Sequence, residues 1–313
     1  MEPQPFYVRI AKCETVQIPQ NSEEFQINGA GVTFFSDAIT HSSLFRHDLE
    51  SDDIFATFFE GTPFESSWRA TFYEPANGET ARINPPQSSK GIFIRTSGTA
   101  DFNIEEQMLK VAQFTRGANT LPRASVRETA ANSIFVSDNG AFGYISGNAD
   151  QFLRIFAAQM LAMAYLEAIT STLHALRQAA IQHRMDDSGT HETIRFVHER
   201  GLLFNAGFHQ RNPIKAASPE LQHVWEALSQ QLHLEAQHSE LSEHLAALTE
   251  WLRADQMRKD ETGREEQVRR EKKAQAEQHA LNAKREAEQK RNTYISFGFL
   301  GLICLLLIYL AMA

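Results

Sequence analysis

The spacing of apolar and polar positions divides the chain near residue 148. Before that point apolar residues come in short runs: Phe6–Ile10, Val32–Phe35, Ile54–Phe59, Arg69–Tyr73 and Gly91–Arg95. Runs of this length, punctuated by Gly, Pro and Asn, predict β-strands. The stretch Ser133–Ser137, Asp138-Asn139-Gly140, Ala141–Ser146 predicts a hairpin, because Asn-Gly supplies the positive φ of a tight turn. Helical spacing interrupts the strands twice, at Ser36–Leu49 and at Ile104–Phe114. Residues 1–148 therefore read as an α+β domain with a mostly antiparallel sheet.

After residue 148 the period changes to that of helices. Asn148 with Gln151 three residues on has the capping-box arrangement, and a helix is predicted over Ala149–His183. Its apolar stripe includes Phe152, Ile155, Phe156, Met160, Met163, Leu166, Ile169, Leu173 and Leu176. A break at Met185–Gly189, a shorter helix around Glu192–Leu203 and a loop over Gly207–Ala217 complete a helical layer, 149–217. Ser218-Pro219-Glu220 then starts a further helix, with Ser at the N-cap and Pro in the first turn. Leu221, Trp225, Leu228 and Leu232 keep a coiled-coil step. After a change of register, Leu241, Leu245, Leu248 and Leu252 do the same. This seam is expected to serve self-association or the core. Beyond Leu252 the stripe gives way to strong helix formers, with opposed charges such as Glu266–Arg270 and Glu286–Lys290. No proline follows Pro219, so one nearly continuous helix is expected, a charged stalk over 218–292 leading into an apolar end. Its 95 residues would extend on the order of 140 Å.

The apolar end, Tyr294–Ala313, has no charged side chain. As a helix it reaches roughly 30 Å, one bilayer core, and residues 293–313 are expected to be a transmembrane anchor. Lys284, Arg285, Lys290 and Arg291 lie on one side of it only. The positive-inside rule then keeps the N-terminal part in the cytoplasm, for a tail-anchored, single-pass protein of the inner membrane. Gly298, Gly301 and Cys304 recur every three residues, a face on which membrane helices pack closely.

Charge sharpens this picture. The net charge is −9, yet Arg253–Asn292 holds 12 Lys and Arg against 9 Asp and Glu, or +3. Residues 1–252 therefore carry −12, and broad nonspecific nucleic-acid binding is not expected. The basic end of the stalk suits anionic lipid headgroups. Two cysteines, Cys13 and Cys304, are too few for a disulfide framework or a cysteine metal site.

A cytoplasmic α+β domain, a helical layer and a very long helix running into a membrane span resemble the CorA-type magnesium transporter family. The resemblance lies in the order of parts. It implies a homo-oligomer whose long helices bundle around an axis. The family's Gly-Met-Asn signature and second span have no counterpart here, so no selectivity-filter residue is carried onto this chain.

Local chemistry is sparse. The segment Arg177 to His183 resembles the Arg-x(4–6)-His signature of HEPN-type ribonucleases, in which Arg and His from two protomers act on RNA. No two of the 12 histidines are four apart, and His191 and His198, seven apart, cannot share an ion unaided. Asp48, Glu50, Asp52 and Asp53 cluster, as at a solvated helix end and turn. There is no Gly-x-Ser-x-Gly, Walker A loop or dinucleotide fingerprint, so no cofactor, metal site or enzyme activity is expected. The expected function is a cytoplasmic sensing domain that self-associates and forms or gates a membrane pore, as a channel or a stress or antiphage effector. A cytoplasmic protein or small molecule would trigger it. Its alternatives are a membrane tether that recruits a partner, and a membrane-bound ribonuclease.

Overall fold

In the computed structural model the described residues are 5–13, 23–27, 30–36, 39, 42–46, 53–74, 85, 87–96, 103–130, 133–138, 140–183 and 190–312. The chain forms two compact units, Met1–Leu248 and Thr249–Ala313.

The first unit, the body, is built on a nine-stranded sheet. Its strands are β1 (Phe6–Cys13), β2 (Glu23–Glu24), β5 (Ser42–Arg46), β6 (Asp53–Phe58), β7 (Ser66–Tyr73), β8 (Ser88–Arg95), β9 (Val126–Ala130), β10 (Ser133–Asp138) and β11 (Ala141–Ser146). Their order across the sheet is β2-β5-β6-β7-β1-β8-β11-β10-β9. All pairs are antiparallel except β11 with β8, which run parallel. A small separate pair, β3 (Gln26–Ile27) and β4 (Ala30–Gly31), lies beside it in sequence.

Alternation along the central strands decides what covers each face. Phe93, Phe135, Phe142 and Tyr144 point to the large core. Their neighbours Ile92, Ile94, Ile134, Val136 and Ile145 point to a smaller core under helix α1 (Ile104–Arg116). Both faces of β8, β10 and β11 are thus buried, which explains their near-continuous apolar sequence. Helix α1 is capped at both ends. Asn103 Oδ1 accepts from the amides of Glu105 and Glu106, and Gly117 closes the helix at φ 67. Gly143 lets Val111 of α1 reach the sheet, since a Cβ there would lie 2.5 Å from Val111 Cγ1.

The large core surrounds α2 (Ala149–His183), which starts where Asn148 Oδ1 accepts from the Gln151 amide at 3.2 Å. Within Ala149–Ile181 an 18-residue window reaches a mean hydropathy of 1.4, making it one helix long and apolar enough to cross a membrane. Of that window 83% is buried in the body, between the sheet and the helices α3 (Thr190–Gly207) and α4 (Pro219–Gln231). An all-round apolar helix that is packed on all sides is a core helix.

Two sequence expectations fail here. Part of the helix predicted over Ser36–Leu49 is a strand, β5, paired with β6 from Ser42↔Phe58 to Arg46↔Ile54. Val32–Phe35 forms no strand; Phe35 makes one isolated bridge to Ile214.

The expected helix from Pro219 is also broken. After α4 the chain turns at Leu232 and His233, and α5 runs over Leu234–Met312. His233 takes a left-handed φ of 54. The register change explains the turn. Leu232 and Leu241 are nine residues apart, which on a straight helix puts them roughly 180° apart. With the turn, Leu221, Trp225, Leu228 and Leu232 enter the same core as Leu234, Leu241 and Leu245. A left-handed non-glycine residue costs about 1–2 kcal/mol. Burying each leucine stabilises by about 1.5–3 kcal/mol, so packing wins. Leu248 is partly buried against that core.

The second unit is the remainder of α5. Its side chains are exposed over residues 258–301 and linked by single-turn pairs, such as Asp255–Lys259 at 2.8 Å and Glu266–Arg270 at 3.7 Å. Lys284, Arg285, Lys290 and Arg291 belong to this exposed stretch. Nothing lies within 4 Å of a Cβ placed on Gly263. Gly263→Ala is therefore expected to stabilise this helix by about 1 kcal/mol, read as a higher midpoint of helix loss in thermal circular dichroism.

Candidate functional site at the base of the long helix

The first turns of α5 are held in the body by a polar cluster built from four helices and one loop. The loop follows α3, whose last turn closes with the Phe208 and His209 amides donating to Phe204 O. Two aromatic side chains pin it by their polar ends. Tyr165 of α2 donates from its hydroxyl to Phe208 O at 2.8 Å, and Trp225 of α4 donates from Nε1 to Arg211 O at 2.9 Å. Both rings are buried, so these bonds satisfy groups that water cannot reach.

So positioned, the His209 ring lies flat on His238 of α5, with centroids 3.5 Å apart and planes 4° from parallel. Tyr165 meets His209 edge-on at 5.6 Å, and Phe204 lies 6.0 Å away. His238 donates from Nε2 to Asn205 Oδ1 at 3.1 Å, and Asn205 Nδ2 donates to Ser242 Oγ at 3.2 Å. Around this stack, Arg211 pairs with Glu235 at 2.8 Å and Arg177 with Glu240 at 2.6 Å. Gly201 of α3 makes room for Leu245 of α5, whose Cδ2 would lie 2.6 Å from an added Cβ. A cavity of about 580 Å³ opens beside the turn, lined by Arg211, Trp225, Glu226, Ser229, His233 and Glu235.

Burial pushes His209 down to about 4, with His238 adding to the effect, and burial also pushes His238 down. Both rings are neutral at pH 7. A histidine that resists protonation when folded takes up protons more readily when unfolded. Its contribution to stability is present above its unfolded value of about 6.5 and is lost as pH falls from there toward 4.

The imidazole reaches Asn205 and not the Ser242 hydroxyl, so the described bonds contain no nucleophile activated by a base. Nor does the stack chelate: in-plane lone pairs of parallel rings do not converge on one ion. Among the described residues no three His, Cys, Asp or Glu side chains are placed to hold a metal.

The residues singled out in the sequence are dispersed. Arg177 is engaged by Glu240, which also lies 3.6 Å from His244; the His183 side chain lies outside the described residues. Of the acidic cluster, Asp48, Glu50 and Asp52 lie outside the described residues, and Asp53 is paired with Arg69. The Cys13 thiol is raised by burial, a larger effect than the lowering by Arg69, so it is a poor nucleophile. His198 is buried, and the His191 side chain lies outside the described residues. Gly298 and Gly301 have nothing within 4 Å of an added Cβ; the Cys304 side chain lies outside the described residues.

Sequence reasoning missed the stack. His209 and His238 are 29 positions apart and belong to no motif; only the register change near His233 marked the place. Comparison of the chain with known protein families, curated proteins and solved structures found no match.

Proposed function

We propose that this is a single-pass protein anchored in the cell membrane by its tail, whose cytoplasmic body controls assembly of the anchors into a pore. The observation that carries the reading is the continuity of α5. Its first turns contribute Leu234, Leu241 and Leu245 to the body core, and the same helix continues through Met312. The uncharged run from Tyr294 lies in its last part. A helix transmits displacement because every residue is hydrogen-bonded to the next turn.

One helix encloses no water, so conduction requires several copies. Gly298, Gly301 and Cys304 form the contact face, and the path between them is apolar and gates by dewetting. Lys284, Arg285, Lys290 and Arg291 hold the basic side on cytoplasmic headgroups. The likeness in order of parts to CorA-type transporters agrees with a homo-oligomer and with ion movement.

The test is paired. In liposomes, Gly301→Leu keeps membrane retention, because Leu is as compatible with lipid as its neighbours, and loses ion leakage by at least tenfold. Leakage from neither protein, with cytoplasmic triggers supplied, leaves a tether that recruits a partner. One observation favours that second reading: Leu221, Trp225, Leu228, Leu232, Leu241 and Leu245 are buried within the chain's own core and are not available as a seam between copies.

A further inference from the structure

We propose that the His209–His238 stack is an acid-sensitive clasp, in which proton uptake by either ring parts the two and loosens the first turns of α5 from the body. The proposal gives the regulation of the membrane reading and rests on it for its purpose, although the clasp itself lies wholly within Met1–Leu248.

The packed faces of the stack offer an added proton no acceptor, and only the part-exposed edges of the two rings meet water. Two neutral imidazoles at 3.5 Å attract as any flat rings do, but an imidazolium needs acceptors for two N–H groups. His238 has one, Asn205 Oδ1. The His209 ring has no hydrogen-bond partner among the described residues. Every element packed on the stack presents neutral groups to it. From α2 comes the edge of Tyr165, whose phenol is held neutral by burial and donates to Phe208 O. From α3 come Phe204 and Asn205, and from α4 Trp225, against Tyr165. From α5 comes Ser242, through Asn205. Of the charged groups on the same elements, Arg211 pairs with Glu235 and Arg177 with Glu240, with His244 beside Glu240. A charge formed on either ring is therefore stabilised by moving into water. That motion removes the ring contact between the 208–211 loop and α5, leaving the exposed Arg211–Glu235 pair between them, and, when His238 is the ring that moves, it also removes the Asn205 bond that ties α3 to the same turns.

The adjoining turn makes the release directional. His233 is held left-handed between α4 and α5, and no Gly or Pro dictates a break between Glu220 and Gly263. The segment stays bent because the body holds both sides of the turn, and the clasp is one of those holds.

Hydrogen exchange on the full chain in detergent tests this, read as protection factors so that the intrinsic pH dependence cancels. Between pH 7.5 and 5.0 the wild type is expected to lose at least tenfold protection in residues 205–211 and 235–245, while amides of β8 and β11 keep theirs. His209→Phe and His238→Phe together leave two flat rings that cannot titrate and abolish the acid response; each alone leaves one titrating ring and weakens it. The sheet amides report whether each variant folds. Unchanged protection in the wild type, or the same acid-induced loss in the folded double variant, overturns the clasp. Liposome leakage is followed in parallel. Opening without leakage supports the clasp and removes the pore; acid-triggered leakage without opening removes the clasp and keeps the pore.

Discussion

Gly91→Val is expected to destabilise the body by about 2–3 kcal/mol, seen as a lower midpoint in urea unfolding with an unchanged slope. Gly91 lies on β8 opposite Val8 of β1 on one side and Phe142 of β11 on the other. The Phe142 ring lies across it: a Cβ would fall 2.2 Å from Cζ and 2.5 Å from Cε1. The ring cannot retreat freely, because it is fully buried and neighbours Phe152 of α2, itself stacked on Phe93 at 4.9 Å. Valine has the higher strand preference, worth up to about 1 kcal/mol. Overpacking a dense core costs about 1–3 kcal/mol and more for a branched side chain, so the clash prevails. Gly207→Ala is the control. It has open space around its Cβ and lies in a helix, and it should leave stability unchanged or slightly higher.

Ending the chain at Asn292 is expected to abolish membrane retention while leaving the body folded. The removed run contains 11 Leu, Ile and Phe residues and no charge. At about −0.3 to −0.6 kcal/mol for each such residue, insertion is favoured by on the order of 3–7 kcal/mol, at least a hundredfold in partition. The retained part of the second unit carries the exposed pairs described above, and the body core ends with Leu245 and Leu248. Membrane flotation of the full and shortened chains reads the first effect, and circular dichroism the second. A shortened chain that still floats with membranes would remove the anchor from the account.

What could be read in the sequence was whatever local spacing decides. Helix α2 was expected over Ala149–His183 with Asn148 as its cap, and it has those bounds and that cap. Helix α1 was expected over Ile104–Phe114 and runs two residues further, to Arg116. Four of the five strand runs and the hairpin are legible too, in β1, β6, β7, β8 and β10–β11, whereas Val32–Phe35 forms no strand and β5 reads as a helix, because its strand state is imposed by pairing with β6. The sheet order and its one parallel pair depend on partners far apart in sequence and left no local trace. The base of α5 shows the same limit. The shift of register between Leu232 and Leu241 was legible, but the turn that resolves it was not, since a left-handed histidine is not a recognised breaker. The stacked histidines meet only because Tyr165 and Trp225 fix the loop from two other helices.

The position of β1 has a consequence for how the chain is made. Among the described strands β1 leaves the ribosome before the others, yet it is the middle strand of the sheet, between β7 and β8. Its partners begin at Ser66 and Ser88, so Val8 and Ile10, both fully buried at the end, have no strand beside them until then. At about 5–20 residues per second, that interval lasts on the order of 3–15 s. Closing the sheet then waits for β11, and burying it waits for α2. Nascent chains of this protein therefore pass through a long stage in which the short apolar segment of β1 is unmatched. Chaperone capture is expected to concentrate at that segment.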